Sequence, residues 1–234
     1  EYGQAIPSRC TGQGTGIIDT HGFSWLVEMV GLLGASSAWN EDDQSGLQAW
    51  FGAYLDWLLT SDHGREEAGQ NNHHGTWYDV QVASLALFAG RDEVANEICT
   101  QSFPRRLAAQ IEADGRQPLE LVRTRSLDYC LMNLTALFDL ADLGRRVDID
   151  LWAHEDAEGR SIRRAFYWLV EQAVDGKWGF EQATPFAHGQ MMPLLRRGGL
   201  RFDDAKCEER IAAMEHIEVA ADRTNLLYPA RSRT

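Results

Sequence analysis

The 234 residues carry 22 Lys and Arg against 35 Asp and Glu, a formal net charge of −13, with 44% hydrophobic and 24% charged residues. That balance suits one domain with a continuous core and excludes wholesale disorder. No apolar run approaches the ~20 residues of a membrane span, and the acidic excess argues against a nucleic-acid partner.

Taken in chain order, the recurring signal is helical. Phe23–Leu33 carries the first helical pattern. In Gln44–Thr60 the residues Leu47, Trp50, Phe51, Tyr54, Leu55, Leu58 and Leu59 recur at steps of three and four, one wide apolar face. Similar patterns predict helices at Trp77–Ala89, Leu127–Leu143 and Ile162–Val174, with shorter ones near His188–Leu195 and Ala205–Ile217. Ser126 is placed to cap the helix at Leu127, and Gly90 and Gly144 stand where a left-handed C-terminal residue is wanted. Strand candidates are confined to Gly16–Thr20 and Pro118–Val122, too short to build a sheet alone.

Long polar segments separate the helices: Gly3–Gly16, Ser61–Gly75, Gly115–Arg125 and Val174–Gly189. Connections of that length in a compact domain are usually functional or disordered. Richness in His, Asn, Arg and Gln favours function for three of them. The expected architecture is a single all-α domain over residues 1–234, built of antiparallel helix pairs like an α/α toroid, with chemistry on loops at one end. The chain begins at Glu1 with no basic n-region or apolar h-region, so no signal peptide is read in it. Cys10, Cys99, Cys130 and Cys207 are widely spaced without a C-x-x-C pair, which speaks against a zinc or dithiol redox centre. No metal or cofactor is expected, and the redox compartment stays open.

Two clusters could carry chemistry. Asn71-Asn72-His73-His74-Gly75-Thr76-Trp77-Tyr78-Asp79 runs straight into a helix. Adjacent histidines make poor metal geometry, but amide and imidazole donors at a helix N-terminus suit a bound carboxylate. The plainer alternative is a polar capping loop. The second cluster, Gln117-Pro118-Leu119-Glu120-Leu121-Val122-Arg123-Thr124-Arg125-Ser126-Leu127-Asp128-Tyr129, places two arginines just ahead of a helix whose first turn presents a tyrosine. A guanidinium holds carboxylates bidentately and stabilises an adjacent phenolate. The plainer alternative pairs Arg123 with Glu120 and leaves Tyr129 in the core.

Together, Asn-His-x-x-Trp opening a helix, then E-L-x-R and a helical Tyr some fifty residues on, resemble the alginate-lyase superfamily of polysaccharide lyases. Gly75–Gly90 and Gln117–Tyr129 look closest to its branch acting on alginate or glucuronan, polysaccharide lyase family 38, with family 5 more distant. Arg9-Cys10-Thr11-Gly12 and Gly16-Ile17-Ile18-Asp19-Thr20 also fit, and the resemblance extends from about Tyr2 to about Ala173. It implies an incomplete α/α toroid with a cleft for an anionic polysaccharide, alginate or glucuronan, and a periplasmic or secreted location. It also implies β-elimination: Asn72, His73 and His74 with Arg123 neutralise the uronate carboxylate, and Tyr129 removes the C5 proton and protonates the leaving oxygen.

The sequence departs from the family pattern in three places. The family reads Asn-Asn-His-Gly-Thr-Trp, whereas this chain has an extra residue in Asn71-Asn72-His73-His74-Gly75-Thr76-Trp77. Counting back from Trp77 favours His74 as the catalytic histidine, because helix phase fixes where the preceding turn points; aligning the Asn pair favours His73. The Arg123-to-Tyr129 interval of 6 residues is slightly shorter than in family 5, so Arg125 stays a second candidate. Family members are longer, with helices before the segment matching Tyr2–Gly16, which is compatible with this chain being a C-terminal part.

Among lesser candidates, Arg125, Trp77 and His21 are read as substrate-binding, and Trp39, Trp178 and His188 as subsite residues without a supporting motif. Arg145-Arg146 and Arg196-Arg197 read as solvated helix ends. Asn133-Leu134-Thr135 has the glycosylation pattern but lies in a helical apolar run. Two rival functions remain: a glycoside hydrolase using Asp79, Glu120 or Asp128, and a polyuronate-binding protein weakened by His73 at the Asn position.

Overall fold

The computed structural model describes residues 4–8, 12–214 and 218–230. Arg9, Cys10 and Thr11 of the N-terminal motif lie outside them. Among the described residues the regular structure is helical, with an isolated bridge between Arg125 and Gln182. The all-α expectation holds. The chain divides into two compact units, residues 1–109 with 136–151, and residues 110–135 with 152–234.

The first unit contains α1 (Phe23–Val30), α2 (Glu41–Thr60), α3 (Asp62–Ala68), α4 (His73–Phe88) and α5 (Asp92–Ser102). α2 starts three residues before its apolar stripe because Asn40 and Asp43 form a reciprocal capping box. The Asn40 side chain accepts from the Asp42 and Asp43 amides, and Asp43 accepts from the Asn40 amide.

α4 packs against α1, α2, α3 and α5. Trp77–Ala86 is buried on every side, so the helix is central rather than amphipathic. Its buried polar groups therefore need partners, and each partner belongs to a different neighbouring segment. Tyr78 donates to the Leu58 carbonyl (2.9 Å), Gln81 accepts from Thr20 (2.7 Å), and Ser84 donates to the Ser24 carbonyl (3.2 Å). Asp79 takes two bonds from Arg106, at 2.8 and 2.9 Å. Leu55, Leu58, Val80, Val82, Leu85 and Cys99 fill the core around these polar ties.

In the second unit, residues Ser126–Thr135 open α6 (Ser126–Gly144), whose remainder is counted with the first unit. α7 (Ile162–Val170) is capped by Ser161, whose hydroxyl accepts from the Arg164 amide. α7 buries Phe166 and Leu169 and packs against α8 (Met191–Phe202), where a Cβ on Gly198 would come within 2.3 Å of the Phe166 ring. α9 (Lys206–Ala212) packs on α8.

Several local expectations are corrected. The strand candidate Gly16–Thr20 lies in a 3-10 helix, Gly14–Thr20, and Pro118–Val122 is a helical turn, Pro118–Leu121. Short apolar runs do not distinguish strand from helix by periodicity. The polar segment Ser61–Gly75 contains α3, whose polar surface hides its helical period, and α5 had no strong apolar stripe to announce it. Gly90 has the expected left-handed φ of +71°, but Gly144 is right-handed and Asp148 (φ 62°) takes the left-handed turn. Ser126 does not cap α6: its hydroxyl donates to the Glu181 carbonyl. Arg196 and Arg197 are buried, not solvated. Arg196 donates to Asn225 and the Tyr228 carbonyl and lies 2.7 Å from Glu208.

Candidate active site

The first cluster sits at the start of α4. Asn72 is the N-cap, its side-chain oxygen accepting from the His74 amide at 3.1 Å. The amide nitrogen is therefore the donating end of the Asn72 side chain. His74 is partly exposed, and its Nδ1 lies 2.9 Å from Oε1 of the fully buried Glu67. His73 is 2% exposed, its ring 4.6 Å from that of His74. The structure thus separates the adjacent histidines: His73 is core, and His74 is the one whose ring reaches the surface. Glu67 was not foreseen. Its signal was an acidic residue seven positions before His74, indistinguishable in sequence from its exposed neighbour Glu66.

A buried clamp shapes this turn. Arg106 is 2% exposed and, besides gripping Asp79, donates to the carbonyls of Ala68 (2.9 Å) and Gln70 (2.8 Å). It thereby fixes the segment between Glu67 and Asn72. Only glycine fits at position 75, where a Cβ would stand 2.1 Å from the Gln70 oxygen and 2.4 Å from Arg106 Nη1.

Trp77, expected on the substrate, is instead 1% exposed. Its ring meets His21 (4.8 Å) and Trp25 (5.8 Å) edge to face, so neither face is available to a sugar. His21 is half-buried against the same rings, with Nδ1 2.7 Å from the Ile18 carbonyl. Trp39 is tied to Gln44 through its indole N–H.

The second cluster lies at the start of α6. The Arg123 guanidinium stands over the Tyr129 ring, 4.1 Å from its centroid, and both residues are half-buried. Arg125 takes a different path: it is exposed and its Nε donates to Asp128 at 3.2 Å. The six-residue interval therefore brings Arg123, not Arg125, to Tyr129. Trp178, assigned to no motif, donates its indole N–H to Ser126 (2.9 Å), and His188 is exposed beside Phe186. Asn133 is fully buried and donates to Gln117, out of reach of glycosylation.

The described residues thus present a histidine held by Glu67 at one helix N-terminus and an arginine-paired tyrosine in the first turn of another helix. The alginate lyase family model matches residues 1–178, and the chain belongs to this family. A solved alginate lyase from Bacteroides ovatus shares the fold, with a TM-score of 0.89 and 31% identity over 97% of this chain. The chain spans 61% of that protein's length. A search of the curated proteins finds no match.

Proposed function

We propose that this chain is a polyuronate lyase that cleaves β-1,4-linked mannuronate or glucuronate polymers by β-elimination, leaving an unsaturated uronate end. The observation that carries the reading is the Arg123 guanidinium 4.1 Å above the Tyr129 ring. The C5 proton lies α to a carboxylate and is very weakly acidic while that group keeps its full charge. The reaction therefore makes two demands, neutralisation of the carboxylate and proton transfer at C5 and O4.

The α4 group suits the first demand. With Nδ1 engaged by Glu67, His74 keeps Nε2 as its second ring nitrogen for a substrate, and Asn72 carries an amide group at the positive end of the helix. The α6 group suits the second. Tyr129, acting as the phenolate that Arg123 stabilises, takes the C5 proton and becomes a hydroxyl as the electron pair forms the C4–C5 double bond and the C4–O4 bond breaks. That hydroxyl then protonates the departing O4 and returns to phenolate. Proton transfer of this kind is worth ~10²–10⁴ in rate, with electrostatic neutralisation adding more.

The hydrolase alternative loses two of its carboxylates. Asp79 is fully buried and doubly bonded to Arg106, and Glu120 is 1% exposed, so neither reaches a glycosidic bond. A periplasmic or secreted location, where such polymers are met, goes with the lyase reading. Its test is to mix the protein with alginate and with glucuronan and follow the ultraviolet absorbance of the unsaturated product. A rise on either polymer is expected. New reducing ends without absorbance would overturn the reading in favour of hydrolysis.

A further inference from the structure

Within the second unit, the segment 178–184 lies along the chain just ahead of Tyr129. The Ala183 amide donates to the Thr124 carbonyl (2.7 Å), and the Ser126 amide to the Glu181 carbonyl (3.1 Å). The Ser126 hydroxyl donates to the same Glu181 oxygen and accepts from the Trp178 indole. Gln182 does two things at once: its side-chain oxygen accepts from the Leu127 amide (3.1 Å), and its side-chain nitrogen donates to Asp128 and to the Thr184 carbonyl. Asp128 in turn holds Arg125.

The bonds have a clear pattern. Every residue from Thr124 to Asp128 is bonded to this strap or to Asp128, and the two residues bounding that run are Arg123 and Tyr129. α6 has no side-chain cap of its own at Ser126, so an N-terminal amide that would otherwise lack a partner is satisfied by a residue fifty-five positions away.

We infer that the strap is the positioning element of the Arg123–Tyr129 pair, with Gln182 as its key positioning residue. This rests on the lyase reading for its catalytic consequence, but not for its structural one. Gln182 touches neither reacting residue. It fixes the first turn of α6, and that turn fixes how far Tyr129 stands from Arg123. Misplacement of a reacting group by about 1 Å can cost ~10² in rate.

The test uses Gln182→Ala, Gln182→Glu, and Gln182→Glu combined with Asp128→Asn. Gln182→Glu keeps the acceptor for Leu127 but sets a carboxylate against Asp128. Adding Asp128→Asn restores one donor and one acceptor with their positions exchanged. On whichever polyuronate the wild type cleaves, both single variants should lose about 10- to 100-fold in kcat with KM within about threefold, and the exchanged pair should regain most of the loss. Amide hydrogen exchange of the segment 124–129, measured on the same proteins, should speed up in both single variants and slow again in the pair. Unchanged kcat, or unchanged exchange in this segment, would overturn the inference. If the wild type cleaves no polyuronate, the lyase reading fails while the exchange data still decide whether the strap holds the turn.

Discussion

The two groups proposed to react are held in opposite ways. His74 stands on a helix buried on all sides, and its approach is set by Arg106, a charge sealed in the core against Asp79 and two carbonyls. Tyr129 stands on the first turn of a helix whose ties run to a strap with exposed residues on either side of Gln182. A buried clamp resists change because removing one partner strands a charge. Bonds near the surface compete with water and can be altered with little cost to the fold. The α4 group should therefore couple activity to stability, while the α6 group should lose activity with the fold intact.

The sharpest test of that difference is Tyr129→Phe. Activity should fall by about 10²–10⁴ while circular dichroism and the melting temperature stay near wild type; full retained rate would remove Tyr129 from the mechanism. On the buried side, Arg106→Leu should cost about 3–5 kcal/mol in denaturant unfolding, because it leaves Asp79 buried and unpaired. Arg106→Leu with Asp79→Leu should recover much of that stability but not the activity, since the Ala68 and Gln70 carbonyls lose their donor. Recovery of both would make the clamp a matter of stability alone.

Glu67→Gln tests the orientation of His74 without removing bulk. Turnover should drop by about 10-fold or more, with KM little changed, because the carboxylate no longer fixes the orientation of the imidazole ring. An unaltered rate would make the Glu67–His74 contact incidental.

The buried α4 side should also be sensitive to alkali. Burial, and then the charge of Asp79, push the Tyr78 hydroxyl from 10.0 to about 12 and the Cys99 thiol from 9.0 to about 12. Both are neutral when protonated, so the folded state holds these protons after the unfolded chain has released them. Their contribution is fully present below about pH 9 and is lost as pH rises through about 12. Melting temperatures measured from pH 8 upward should fall more steeply in the wild type than in a Tyr78→Phe, Cys99→Ala variant. Smallest of all, Arg125→Ala removes an exposed ion pair and should cost under about 1 kcal/mol, with turnover within a few-fold of wild type. A loss as large as that of Tyr129→Phe would return Arg125 to the reacting pair.

Much of the fold and of the candidate site could be read before the structure was known. Helical periodicity located the cores of α1, α2, α4, α6 and α7, because an amphipathic or apolar stripe is written locally every three to four residues. The family motif selected Asn72, Arg123 and Tyr129, and helix phase through Trp77 pointed to His74. What sequence could not decide was burial and partnership. Trp77 and His73 have the composition of ligand-binding residues, yet the all-round packing of α4 places them in the core. Glu67 and Arg106 look like ordinary helix-surface charges, and only the close approach at Gly75 shows why they are not.

The same holds for the second unit, where Arg125 stays a second candidate beside Arg123 and Gln182 is one polar residue among many in a loop. Their separation depends on contacts between residues more than fifty positions apart. Local sequence encodes backbone periodicity and the chemical types at the site. Which groups lose water, and which donor meets which acceptor, is settled only when distant segments pack and every buried polar group has to find its partner.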